Sequence, residues 1–177
     1  DEELGMARFL CSQAVALSMK GIPAVYFHSL CGTPNDLDGY KETKRNRTVN
    51  RKKWNQDELN ALLDDQETMP AQIFSWYSRT LRMRAGCPAF HPEAPQEILD
   101  FGPEVFALRR DLSDGGLSVV CLYNFRAEES KVSDMSLFEK VFPDGCARDL
   151  ISGGEIDWSK NGELVLRPYQ ALWLSSS

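Results

Sequence analysis

The chain has 177 residues, 42% of them hydrophobic, with 26 acidic against 20 basic residues and a net charge of −6. That is enough chain to bury a substantial core and implies one domain or two. The acidic balance, with a pI near 5.0, argues against nucleic acid or an anionic membrane as a partner.

The first predicted element is a helix over residues 2–19, with acids at its start and Lys20-Gly21 at its end. Leu4, Met6, Ala7, Phe9, Leu10, Ala14, Val15, Leu17 and Met19 cover most of its circumference, so it expects neighbours on most sides. GIPAVYFHS follows, and residues 22–28 read as a strand buried on both faces, as in a parallel sheet or barrel. A polar loop over 31–54 comes next, long enough to suggest a function of its own. It contains KETKRNRTVNRKK (41–53), for which a solvated loop is the plain reading. Asn55 opens another helix with Glu58 completing a capping box. A third helix is expected from Pro70 to a stop at Gly86. Ile73, Phe74, Tyr77 and Leu81 form its apolar stripe, with Arg79, Arg82 and Arg84 facing water.

After CPAFHPEAP the pattern changes to short runs rich in β-branched and aromatic residues: EILDF, EVFALRR, LSVVCLYNF, RDLIS, ELVLR and YQALWL. Turn signals at Asp114-Gly115-Gly116, Ser152-Gly153-Gly154 and Asn161-Gly162 separate several of them. This predicts an antiparallel β-sandwich or meander. No stretch is long and apolar enough to span a membrane, and DEELGMARF lacks a basic signal region. The first residue is Asp, so the sequence reads as processed, excised or lacking its true start. Five cysteines (Cys11, Cys31, Cys87, Cys121, Cys146) without CxxC spacing fit buried reduced thiols and a cytoplasmic location.

Taken together, GIPAVYFHS with its following loop, Asn35-Asp36, NRTVNRKKW, FHPEAPQ and LRPYQALWL resemble the end of an α-amylase-superfamily enzyme. The nearest likeness is to the sucrose phosphorylase branch, including glucosylglycerate and sucrose-6-phosphate phosphorylases. The resemblance implies an α+β chain: residues 1–90 as the last helix–strand–helix portion of a (β/α)₈ barrel, and 91–177 as a C-terminal antiparallel β-domain. Such a barrel takes roughly 250 residues, so its earlier portion would be a missing partner of this chain.

Retaining glucosyl transfer needs a carboxylate nucleophile and a carboxylic acid/base about 5 Å apart. The family's motifs for these are absent here, and the pairs Asp64-Asp65, Glu128-Glu129 and Asp36/Asp38 lie in polar surroundings; no catalytic residue is therefore assigned. The resemblance implies substrate binding by Arg47, whose rigid fork of donors suits sugar oxygens and a carboxylate together. Asn35 and Asp36 are further candidates at the pocket mouth, although a Pro-Asn-Asp turn explains them equally well. Asn50 and Arg51 are read as braces of the loop, and His28 as a rim histidine rather than a site residue. His91 is read as structural, and Tyr26 and Phe27 as alternating core aromatics.

The implied activity is a glucosyl phosphorylase acting on an α-glucoside and inorganic phosphate without metal or organic cofactor, the chain alone being inactive. The alternative is a stand-alone carbohydrate-binding or assembly module, for which Trp54, Trp76, Trp158 and Trp173 are the residues to inspect. An unpaired strand 22–28 and an apolar helix 2–19 also predict self-association or loose order of residues 2–30, with the β-module folded by itself.

Overall fold

Helix α1 spans Glu2–Ser18 in the computed structural model of the chain, which describes residues 2–112, 116, 118–159 and 162–175. The chain divides into two compact units: Asp1–Pro23 with Thr80–Ser177, and Ala24–Arg79. This division cuts across the sequence-based boundary at 90/91, because α1 and residues 80–90 go with the β-strands.

The first unit is built on a six-stranded antiparallel sheet in the order β1-β2-β3-β8-β5-β6. Its strands are β1 (Gln96–Asp100), β2 (Val105–Asp111), β3 (Ser118–Asn124), β5 (Cys146–Asp149), β6 (Glu155–Asp157) and β8 (Ala171–Ser175). A two-stranded sheet pairs β4 (Ser130–Val132) with β7 (Leu164–Leu166). The antiparallel sandwich expected from the sequence is therefore present, and β4, β6 and helix α6 (Ser136–Val141) are additions to it. β4 and β6, at three residues each, are too short for alternation to signal. The predicted Ser152-Gly153-Gly154 turn forms, and buried Asp149 accepts from the Ile151, Ser152 and Trp173 amides and the Ser152 hydroxyl. The turns predicted at Asp114-Gly115-Gly116 and Asn161-Gly162 fall largely outside the described residues.

Strand alternation gives the large sheet two working faces. One carries Val105, Ala107, Val120, Leu122, Leu172 and Leu174, packed with Val132, Leu164 and Leu166 of the small sheet, Phe138, Phe142 and Trp158. The opposite face carries Leu108, Arg110, Cys121, Tyr123 and Trp173, all fully buried. Here α1 lies across the sheet: the Tyr123 hydroxyl donates to the Ala14 carbonyl at 3.4 Å, and Cys11 Sγ is 3.8 Å from the Asn124 carbonyl.

The buried stripe of α1 is Cys11, Ala14, Leu17 and Ser18, one face rather than most of its circumference. Its neighbour is the β-sheet, which corrects the expectation for the helix 2–19 portion that it has no cover within the chain.

The C-terminus of α1 shows why Arg84 does not face water. The last carbonyls of a helix have no partner within it, and α1 has no basic residue in its final turn. Arg84 Nε donates to Leu17 O at 2.7 Å and its Nη2 to Gly21 O at 2.9 Å. Arg110, with 0% exposure, donates to Ser18 O at 2.8 Å and to the carbonyls of His91, Ala94 and Pro95. Two guanidinium groups thus satisfy the negative end of the helix dipole. Arg79 and Arg82 are exposed, as predicted.

The second unit holds short helices and turns. Residues 22–26 form no strand ladder, and Phe27–Leu30 form a single helical turn, α2. The predicted strand 22–28 is therefore absent. A strand exists through its ladder partners; without them the chain pairs locally, Leu30 N–H to Tyr26 O at 2.9 Å and Cys31 N–H to Phe27 O at 3.1 Å. Tyr26 and Phe27 do not alternate between two interiors; both are 49% exposed.

The expected long loop contains α3 (Leu37–Thr43) and a 3₁₀ turn, Asn46–Thr48. Helix α4 (Gln56–Asp64) has Asn55 as its cap, accepting from the Asp57 and Glu58 amides at 2.8 and 3.2 Å. The Glu58 carboxylate pairs with Lys52 at 3.3 Å. Helix α5 (Met69–Gly86) buries Ala71, Ile73, Trp76 and Tyr77. Phe74, placed on the apolar stripe by the sequence pattern, is 38% exposed, and Trp76 takes the inner position instead. Gly32 has φ +56, and a Cβ there would lie 2.5 Å from Ile73 Cδ1. Only glycine fits that approach.

Candidate functional site

The segment 31–54 gets its order from side chains that tie its turns together. Asp36 caps α3, its Oδ1 accepting from the Gly39 amide at 2.8 Å, while its own amide donates to Val49 O at 2.6 Å. A Cβ on Gly39 would collide with the Asp36 carboxylate and the Thr48 methyl, so the cap requires glycine there. Lys44 ends α3 at φ 54 with its amide on Tyr40 O, and Thr43 Oγ1 meets Thr48 Oγ1 at 2.9 Å. These contacts bring the start of α3 against the 3₁₀ turn.

Arg47 is the middle residue of that turn. Its backbone surroundings are pinned by Thr48 N–H to Arg45 O at 2.9 Å and Arg51 N–H to Thr48 O at 3.0 Å. Its side chain is exposed and makes no hydrogen bond or ion pair with any described residue. An ordered backbone carrying a guanidinium with unused donors can offer those donors to a ligand. Asn35 is exposed, its carbonyl accepting from the Leu37 amide at 3.1 Å. Asp36 spends its carboxylate on the cap, so the turn explanation accounts for its geometry. Asn50 and Arg51 brace the loop through their backbones, Asn50 O accepting from the Tyr26 hydroxyl at 3.3 Å.

Sequence reasoning missed Thr33. Its Oγ1 accepts from Trp54 Nε1 at 2.9 Å and lies 3.1 Å from His28 Nδ1, which ties the start of the loop to its end. A lone threonine in a polar stretch carries no signal of such a role. His28 sits in α2 rather than at a strand end, with Tyr26 and Phe27 edge-on to its ring. Lys52 lies 3.6 Å from the centroid of the Trp54 ring, a cation–π contact.

No catalytic constellation assembles here. Burial raises the Cys31 thiol and pushes the Tyr77 phenol up to about 12, so neither supplies an anion at neutral pH. Asp38 pairs with Lys41 at 2.8 Å, which lowers its carboxyl through the hydrogen bond and the adjacent charge. In the other unit, Glu128 pairs with Arg126 at 2.8 Å, and His91 Nδ1 accepts from the Glu93 amide at 3.2 Å. Among the described residues no group of three or more His, Cys, Asp or Glu side chains could hold a metal ion. Nor is any helix long and apolar enough to cross a membrane. The five cysteines are free thiols.

Residues 99–175 match the family model described as the amylosucrase C-terminal domain. A variant of AmyP solved in complex with maltotriose superposes with a TM-score of 0.71 at 19% identity, over 96% of this chain and 34% of that one. That likeness establishes the fold. A glucosylglycerate phosphorylase of Allomeiothermus silvanus is 38% identical over 173 residues, covering 98% of this chain and 28% of the relative. One from Spirochaeta thermophila is 35% identical, covering 95% of this chain and 30% of the relative. The chain thus spans under a third of the length of these curated relatives. Residues 99–175 thus resemble an amylosucrase-type C-terminal domain, and the chain as a whole is similar to part of the glucosylglycerate phosphorylases.

Proposed function

We propose that this chain is part of a retaining phosphorylase that transfers glucose from a sucrose-like or glucosylglycerate-like α-glucoside to inorganic phosphate. The observation that carries this reading is 38% identity to a glucosylglycerate phosphorylase running through 98% of the chain, the 31–54 segment included. Retention requires a covalent glucosyl–carboxylate intermediate formed and broken by paired carboxyl groups. We assign both to protein outside this chain. Residues 24–54 then contribute to the substrate side of the site, Arg47 donating to glucosyl hydroxyls and Asn35 and Asp36 shaping its mouth. No metal or organic cofactor is needed for this chemistry. Free thiols and an acidic composition support a cytoplasmic location.

The stand-alone carbohydrate-binding reading loses its support, because Trp76, Trp158 and Trp173 are buried and Trp54 is engaged by Thr33 and Lys52. The test uses the full-length protein with sucrose, sucrose 6-phosphate and glucosylglycerate, following glucose 1-phosphate and its anomeric configuration by NMR. The expected result is α-glucose 1-phosphate from at least one donor, and none from the 177-residue chain alone. Hydrolysis without glucose 1-phosphate, or turnover by the chain alone, overturns the proposal.

A further inference from the structure

Between Lys41 and Lys53 the sequence carries seven cations and one acid, whereas the rest of the chain has twenty-five acids against thirteen bases. Such a concentration could be neutralised by local pairing, and two of the seven are: Lys41 by Asp38 at 2.8 Å and Lys52 by Glu58 at 3.3 Å. Lys44, Arg45, Arg47, Arg51 and Lys53 are exposed and make no ion pair with any described residue. Two nearby carboxylates are placed otherwise, Asp36 on the Gly39 amide and Asp38 on Lys41. The backbone that carries the cations is held by the Thr43–Thr48 contact, the left-handed turn at Lys44 and the Asp36–Val49 bond. Holding five like charges within ten residues, unpaired and on an ordered segment, costs repulsion that a merely solvated loop would avoid by interspersing acids.

Resting on the phosphorylase reading, we propose that Lys44, Arg45, Arg51 and Lys53, beside Arg47, form an anion-collecting surface that draws inorganic phosphate to the substrate side of the protein. The chemistry matches the need. Phosphate is the small dianionic co-substrate of that reaction and must approach past a chain of net negative charge. A local positive field on an exposed set of side chains raises encounter without fixing a single binding pose. Arg47 is the member that also contacts sugar; the other four act at longer range.

The experiment compares full-length protein with the Lys44→Glu/Arg45→Glu/Lys53→Glu variant and with a control, Arg79→Glu/Arg82→Glu, which reverses exposed charges on α5. Initial rates of phosphorolysis are measured against phosphate at low salt and at about 0.5 M ionic strength, where the Debye length falls to a few ångströms. The loop variant is expected to raise KM for phosphate about tenfold at low salt with kcat within about twofold, and to lose the salt dependence. The control should leave KM unchanged. In the reverse direction, KM for a carboxylate acceptor such as glycerate is measured alongside that for glucose 1-phosphate.

Equal shifts from loop and control, or an unchanged KM for phosphate, overturn the proposal. A shift confined to glycerate does so as well, and reassigns the surface to the acceptor. If the full-length protein forms no glucose 1-phosphate from any donor, the phosphorylase reading fails by itself. Broadening of the ³¹P resonance of inorganic phosphate by wild-type but not by the loop variant then still supports the anion surface, and its absence removes it.

Discussion

The two units of this chain spend their residues differently. The sheet unit, Asp1–Pro23 with Thr80–Ser177, buries Trp173, Tyr123, Phe90 and Phe138 at 0–1% exposure. It also satisfies buried polar side chains, with the Thr80 hydroxyl left without a partner among the described residues. Asn124, at 0% exposure, donates to the Glu128, Leu166 and Arg167 carbonyls and accepts from Arg126 N and the Ser130 hydroxyl. The unit formed by Ala24–Arg79 has a thin core of Cys31, Leu59, Ala71, Ile73, Trp76 and Tyr77, and it exposes Tyr26, Phe27, Leu37 and Phe74. Its order comes from caps and single hydrogen bonds between turns. Packing stabilises in proportion to apolar area removed from water, whereas each exposed cap or turn bond contributes about 1 kcal/mol. The difference shows where stability resides.

Three substitutions sharpen or break that contrast. The largest effect is expected from Trp173→Ala, which removes an indole packed 4.6 Å from the Phe90 ring and hydrogen-bonded to Tyr123. It should destabilise the sheet unit by about 3–5 kcal/mol, read from urea unfolding of the full chain by circular dichroism. A loss below about 1 kcal/mol would mean that the sheet is not the main source of stability.

Next is Arg47→Lys in the full-length protein. A charge-assisted hydrogen bond is worth about 1.5–3 kcal/mol, so loss of the fork should lower kcat/KM by about two orders of magnitude. Because the side chain has no described partner, the melting temperature should not change. Arg45→Lys, which keeps its charge, should alter neither quantity. Equal losses from both, or a fall in melting temperature with Arg47→Lys, would contradict a binding role.

The smallest effect is expected from Asn55→Ala, which strips the α4 amides of Asp57 and Glu58 of their acceptor. It should cost about 1 kcal/mol, visible as faster hydrogen exchange across Gln56–Asp64 with protection of β2 and β3 unchanged. Matching deprotection of the sheet would show that the two units unfold as one, which would remove the contrast.

Local chemistry was legible in the residues themselves. Helices α1, α4 and α5 follow from periodicity and from Asn55, and β1, β2, β3, β5, β7 and β8 follow from alternating runs between turn residues. The candidate site was legible only as a resemblance: Arg47 stands out through the NRTVNR pattern, while Thr33, which holds the loop ends together, has no pattern at all. What tertiary structure decided was everything that depends on a partner distant in the chain. GIPAVYF has the composition of a buried strand, yet a ladder needs neighbours, and the segment bends into α2 without them. Arg84 reads as a surface charge, yet with Arg110 it closes the C-terminus of α1, because unpaired helix carbonyls need donors wherever the fold can bring them. Helix α1 reads as apolar over most of its circumference; only the folded chain shows that one face, Cys11, Ala14, Leu17 and Ser18, is buried on the β-sheet.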